Sequence, residues 1–447
     1  MTDPTPTPDE SAPADSDASG TPTRQRFSRR ALLGGAGVGV VAAAAGGVAV
    51  GRATAAEQVP HTSGVVPFRG ERQAGIVTAV QDRLHFASFD VITDSRDDLI
   101  AMLKTWTSAA ERMTRGETTV EDGAVGLGDY TPPADTGEAL GLGAANLTLT
   151  IGFGPGLFGP SASDPHRRDR FGIADRKPAA LVDLPAFAAE KIEPSRSFGD
   201  ICIQACADDP QVAVHAIRNL ARMGIGVVAV RWSQLGFGRT SSTTRSQETP
   251  RNMFGFKDGT ANIRSDQTDV LDQWVWVGKD DNPASAQWMT GGTYLVARRI
   301  RMDIEPWDRA NLLEQEQIIG RTKGSGAPLG QQDEFDTPDF NVTSYGAPMI
   351  PRTAHVRLAH PDNLGGIQVL RRGYNFTDGS DGFGHLDAGL FFIAFNRDNG
   401  KQFVPMQQVL SRQDAMTEYL IPNGSSTFAI PPGLQPGEWW GQGLFEG

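Results

Sequence analysis

The alternation of apolar and polar positions divides most of the chain into short strands and amphipathic helices. Residues 85–92 alternate as a half-buried strand does. Ser95 then reads as a helix cap with Asp98 three residues on. Leu99, Leu103, Trp106, Ala110 and Met113 follow at spacings of four and three, one apolar stripe down a helix. Residues 147–153 read as a strand running into the loop Gly152-Phe153-Gly154-Pro155-Gly156. A strand over 200–205, a helix over 211–223 and a strand over 225–232 complete the order β-α-β-β-α-β, the split βαβ of a ferredoxin-like unit.

The same order returns in the second half. It predicts a strand over 293–302, a helix over 305–320 with Pro306 in its first turn, and strands at 355–358 and 368–371 around a turn. A strand at 390–395, a helix at 401–411 and a short strand at 427–430 finish it. The Gly/Ser/Thr/Arg-rich stretch 233–255 reads as the connection. The expectation is an α+β protein with two ferredoxin-like modules, 56–248 and 249–447, behind a leader over 1–55.

That leader changes the picture. Residues 1–23 are Pro, Thr, Asp and Ser with too little apolar surface to fold. Arg24 to Leu33 contains Ser28-Arg29-Arg30-Ala31-Leu32-Leu33, and a Gly/Ala/Val run reaches Val50, ahead of Ala53-Thr54-Ala55. A basic segment, an apolar segment and small residues at a cleavage position make a secretory signal, and the paired arginines make it resemble a twin-arginine signal. The expectation is export through the twin-arginine machinery to the periplasm, cell envelope or exterior, with no stable membrane span after cleavage. That route carries folded proteins, often with a prosthetic group already inserted.

Charge and cysteine content exclude other classes. The 447 residues carry 53 acids against 41 Lys and Arg, net −12, and no basic face for nucleic acid is evident. Two cysteines cannot build a disulfide framework or a four-thiolate metal site. Cys202 and Cys206 stand four apart on a strand, about 13 Å, and read as separate buried thiols.

Two stretches carry candidate chemistry. Seven histidines (61, 85, 166, 215, 355, 360 and 385) show no zinc-site spacing, and neither a nucleophile elbow nor a phosphate loop is present. His355 stands among Arg352, Arg357, Arg371 and Arg372. Such a stretch is either a structural surface strand or an iron ligand with cations for the acidic groups of a macrocycle. In Gly255-Phe256-Lys257-Asp258-Gly259-Thr260-Ala261-Asn262, Asp-Gly marks a tight turn, or else places a carboxyl where it shuttles a proton.

The run Gly255 to Thr260 resembles the G-x-x-D-G signature of the dye-decolorizing peroxidase family. Gly291 to Arg301, Ala354-His355-Val356-Arg357-Leu358-Ala359-His360-Pro361 and Leu370-Arg371-Arg372-Gly373-Tyr374 resemble its C-terminal half, and Gln204 to Pro210 its N-terminal half. The leader resembles that of the exported branch, which includes deferrochelatase-type peroxidases. The resemblance implies two ferredoxin-like modules in a dimeric α+β barrel arrangement, with one haem b per chain in the C-terminal module. It implies His355 as proximal iron ligand, Asp258 as distal acid–base, Arg371 as distal arginine and Asn262 beside them. Gly259, Thr260 and Ala261, and the turn His360, Pro361 and Asp362, are expected to line the haem, together with Arg371. His360 stands where the family often has a polar residue. His355 is preferred as ligand because it lies in the Ala-His-Val-Arg core.

The implied reaction reduces hydrogen peroxide and oxidises bulky aromatic donors, dyes or phenolics, in one-electron steps through a ferryl species. A carboxyl as distal base implies an acidic optimum. A ligating imidazole needs an acceptor on its other nitrogen, and Asp387 is the candidate. Trp274, Trp276, Trp288 and Tyr374 are candidates for passing electrons to a buried haem, although each also reads as core. Two rival functions remain: iron release from haem, and haem carriage, which needs neither Asp258 nor Arg371. Homo-oligomer formation is left open.

Overall fold

The computed structural model describes residues 64–446; the twin-arginine leader expected over 1–55, and His61, lie outside the described residues. The first module runs β1 (Arg83–Val91), α1 (Arg96–Met113), β2 (Thr148–Phe153), β3 (Ile201–Ala207), α2 (Pro210–Met223) and β4 (Val228–Arg239). Ser95 caps α1 by accepting from the Asp98 amide, and its whole predicted stripe is buried. Asp209 caps α2, with Pro210 in the first turn. Strand β4 continues seven residues into the stretch expected to be connection.

The second module holds α3 (Thr268–Trp274), β5 (Thr293–Met302), α4 (Ile304–Arg309), α5 (Leu312–Ile319) and α6 (His355–Leu358). It continues with β6 (Leu370–Arg371), β7 (Tyr374–Ser380), β8 (Leu386–Asn396), α7 (Phe403–Gln413) and β9 (Leu420–Ile430), and α8 (Gln442–Phe445) closes the chain. Three expectations need correction here. The helix expected over 305–320 is two helices, because Ala310 is extended and Asn311 caps a fresh start by accepting from Glu314. Residues 355–358 form a helical turn, closed by Leu358 N–H to Ala354 O (3.1 Å) and Ala359 N–H to His355 O (2.9 Å), where a strand was expected. The hairpin partner of β8 is β7, a strand absent from the expected elements.

Eight strands close into one antiparallel barrel in the order β5-β9-β2-β3-β1-β4-β7-β8, with β8 pairing back to β5 and β6 added beside β8. Each module supplies four strands. The seams are thin: β9 meets β2 through Ala429 opposite Phe153, and β4 meets β7 through two residue pairs. The barrel is filled, not hollow. Leu84, Phe86, Cys202, Cys206, Phe391 and Phe428 meet in its interior, while Ile201, Ile203 and Ala205 on the other face of β3 pack under α1 and α2. Both cysteines are free and buried. Among the described residues no helix is long and apolar enough to cross a membrane.

Candidate active site

Three segments outside the barrel bring the candidate side chains together. The first is the helical turn α6. His355 places Nδ1 2.6 Å from Asp414 Oδ2, and that carboxylate also accepts from the Met416 amide at the end of α7. A carboxylate acceptor makes Nδ1 the protonated nitrogen and leaves the Nε2 lone pair free. Burial pushes the imidazole pKa down, but the charge and hydrogen bond of Asp414 more than reverse this and hold it above its ordinary value. His355 lies deep in the molecule yet keeps 30% of its side chain accessible, so it faces a hollow. The expected acceptor, Asp387, is elsewhere: it pairs with Arg299 at 2.9 Å and Arg196 at 3.7 Å, at the mouth of the barrel.

The second segment is the turn around Asp258. Its amide donates to Pro250 O (2.9 Å), and Gly259 takes φ +94°, with Ser241 Cα so close that an added Cβ would meet it at 2.7 Å. Glycine alone fits there. The third segment is β6, where Arg371 Nη1 donates to Asp258 Oδ1 at 2.6 Å. Asn252 Nδ2 reaches the other carboxylate oxygen at 3.3 Å. Asp258 and Arg371 lie close enough to His355 for their charges to act on the imidazole.

Asn262 does not extend its amide into this group. Its Oδ1 accepts from Arg371 N–H (2.8 Å), while Nδ2 donates to Arg371 O (2.9 Å) and Ser242 O (3.1 Å). It therefore pins the backbone that carries the arginine. Thr260 Oγ1 donates to Glu334 (3.1 Å), and Ala261 is exposed. His360 caps the turn Pro361–Asn363, its Nδ1 3.3 Å from the Asp362 amide, and the Asp362 side chain faces solvent. Trp276 is buried under the Arg72 guanidinium, Trp288 packs on Phe158, Trp274 is half-buried and Tyr374 is inside the barrel, so the structure places all four in or against the core.

Sequence reasoning missed three residues of this neighbourhood. Asp414 lies 59 residues from His355 and carries only a helix-end signal. Glu334 pairs with Lys257 and accepts from Thr260, so it grips the chain on both sides of Asp258. Arg321, 7% exposed, stands near Arg371 and His360. No pattern in the sequence marks either.

The donor set fits an iron held mainly by a macrocycle. Among the described residues no cluster of three or more His, Cys, Asp or Glu could hold a metal by itself, and His355 offers one free nitrogen. Leu390 and Phe392 on the outer face of β8 are only half-buried, although Phe391 and Ile393, which alternate with them, are sealed, so an apolar surface is left for a flat group to cover.

Family models decide the kinship. The Dyp-type peroxidase N-terminal model matches residues 73–238 and the C-terminal model residues 249–435. The chain belongs to the Dyp-type peroxidase family. Its relatives include a deferrochelatase of Yersinia pseudotuberculosis, 34% identical over 419 residues, which span 91% of this chain and 92% of that one. They also include a dye-decolorizing peroxidase of Thermobifida fusca, 35% identical over 95% of this chain and 98% of the relative. Among solved structures, ferric DtpA from Streptomyces lividans superposes with TM-score 0.75 at 35% identity, covering 86% of this chain and 98% of that one. A family member from Streptomyces coelicolor gives 0.76, covering 87% and 98%. Membership makes the chain a peroxidase-type oxidoreductase with a closed-barrel α+β fold.

Proposed function

We propose that the chain is a haem b peroxidase that reduces hydrogen peroxide and takes single electrons from bulky aromatic donors. The observation that carries this is the joint placement of a carboxylate-oriented imidazole and an Asp–Arg pair at one hollow. When bound, haem supplies an iron that takes up peroxide and stores the oxidising equivalents passed on to donors. His355 would hold that iron through Nε2, with Asp414 fixing the ring's tautomer and direction. Asp258 would take the proton from the peroxide oxygen nearer the iron and return it to the outer one. Arg371, already 2.6 Å from that carboxylate, would hold the negative charge that builds as the O–O bond breaks. The backbone at Gly259 and the turn at His360 and Pro361 would border the haem, within the second module. The leader pattern supports export by the twin-arginine route.

The test is bleaching of an anthraquinone dye by haem-loaded protein with peroxide, scanned over about pH 3–7. Sustained acidic turnover with the Soret band intact is expected. His355→Ala should fold but no longer hold haem normally. Asp258→Asn should keep haem and lose about 10²–10⁴-fold in turnover with peroxide. The names of the Yersinia relatives motivate one rival, release of iron with the porphyrin intact. Free porphyrin fluorescence in place of bleaching would favour it.

A further inference from the structure

Arg372 directly follows Arg371 and is fully buried, at 0% exposure. Among the described residues no carboxylate pairs with it. Its guanidinium is received instead by the segment just ahead of β1. Nη1 donates to Thr78 O and Nη2 to Gln81 Oε1, with Ile76 O and Ala79 O at 3.5 and 3.4 Å. A buried charge matched only by dipoles costs stability that an apolar side chain of similar size would not. What the guanidinium adds is a planar fork with fixed donor directions, which ties one stretch of backbone to another.

That segment, residues 72–81, is fastened to both modules and to their connection. Gln73 accepts from Ile151 N–H at 2.9 Å and donates to Pro431 O at 2.9 Å. Gln81 Nε2 donates to Asn146 O at 2.7 Å. Val80 exchanges two hydrogen bonds with the Gln247 side chain, and Thr78 O also accepts from Thr243 Oγ1 at 2.7 Å. The segment is therefore a fixed strap. Strand β6, by contrast, is two residues long at the edge of the sheet and pairs with β8 alone. Consecutive side chains of an extended strand point to opposite sides, so Arg371 meets Asp258 while Arg372 enters the strap. We propose that Arg372 is a positioning residue: it locks β6 to the strap and so holds the Arg371 guanidinium against Asp258, an inference that rests on the peroxidase reading above. Asn262 holds the Arg371 backbone from one side, and Arg372 holds it from the other.

The experiment measures the peroxide kcat/KM of the haem-loaded full chain in Arg372→Met, Arg372→Lys, Arg371→Gln and the double variant Arg371→Gln/Arg372→Met. Arg372→Met should retain the Soret band and the donor KM but lose about 10- to 100-fold in peroxide kcat/KM, the cost of a misplaced group. Arg372→Lys, which still offers donors to the carbonyls, should recover part of that loss. In the Arg371→Gln background, Arg372→Met should cost no more than about twofold further, because a residue that acts through Arg371 has nothing left to place. If Arg372→Met fails to fold, Gln81→Met removes the strap's side of the contact and is set against Arg371→Gln in the same way. A wild-type rate in Arg372→Met overturns the proposal. So does an equal loss in the presence and absence of Arg371, which would make the buried arginine a structural staple only. Failure of the peroxidase reading looks different: wild type itself would show no Soret band with haemin and no reaction with peroxide, and this inference would fall with it.

Discussion

Replacing Asn262 by Ala separates a residue that acts on peroxide from one that holds another residue in place. The side chain makes three hydrogen bonds: one from Arg371 N–H, one to Arg371 O and one to Ser242 O. The site is 6% exposed, so water cannot readily replace them. A buried polar group stripped of its partner costs about 1–3 kcal/mol, and the two carbonyls retain a second lone pair, so about 3 kcal/mol for the set is a reasonable expectation. Unfolding entropy of about 2.1 cal/mol/K per residue, over roughly 400 residues, makes that a fall of about 4 °C in Tm. The Arg371 backbone then loses its fixed position while Asp258 and the guanidinium remain chemically intact. The peroxide kcat/KM should drop by about 10- to 100-fold, less than in Asp258→Asn. Calorimetry and stopped-flow with peroxide read the two effects. A variant with unchanged Tm but activity as low as Asp258→Asn would refute the positioning role, because Asn262 would then have to touch the reacting atoms.

Two further predictions follow from charge placement. Glu334→Gln should leave haem uptake intact but lower the peroxide kcat/KM by about 10-fold, since the carboxylate that grips both flanks of Asp258 through Lys257 and Thr260 is gone; an unchanged kcat/KM would show the clamp to be irrelevant to the turn. His85 is pushed by burial from 6.5 to about 4, so between those values the unfolded chain takes up a proton that the folded chain refuses. Stability is therefore complete above pH 6.5 and declines toward pH 4, and His85→Gln should narrow the Tm gap between pH 7.5 and 4.5 by about 3 °C, whereas an equal gap in both proteins would count against it.

The helices of the first module were legible because caps and stripes agree: Ser95 and Asp209 begin α1 and α2 where the apolar spacing begins. The strands that escaped are those whose residues answer to the barrel mouth. In β9 only the last four residues, 427–430, were expected as strand; the part before them escaped, although Asn423 Oδ1 accepts from the buried Arg299 and the register slips between Pro422 and Gly424. In β7, Asp378 receives the same guanidinium at 2.8 Å. The turn at His355 escaped for a different reason. Four residues of alternating character fit a strand and a single helical turn equally, and Pro351, whose carbonyl accepts from Ala354, decides between them. Asp258, Arg371 and His355 could be named from motifs. Asp414, Glu334 and Arg321 could not, since each is defined by whom it meets in space.

The duplicated architecture also bears on why the site belongs with the second module. The two four-stranded sheets offer comparable outer faces. On the first, Ala87, Phe89, Ile201, Ile203 and Ala205 are sealed at 0% exposure beneath α1 and α2, and Trp106 and Leu220 fill the gap. Nothing flat can enter there. On the second, the helix that would match α1 breaks at Ala310, and the chain from Gly320 to Val369 is free to fold as turns that carry Arg321, Glu334, His355 and His360. Leu390 and Phe392 on β8 are left partly uncovered beside them. A closed barrel fixes these turns to a rigid frame, so a continuous helix engineered across Ala310-Asn311 should remove the hollow while leaving the barrel intact. Far-UV dichroism retaining the wild-type strand signal together with lost haemin uptake is the expected result, and normal uptake would mean that the break has no part in making the site.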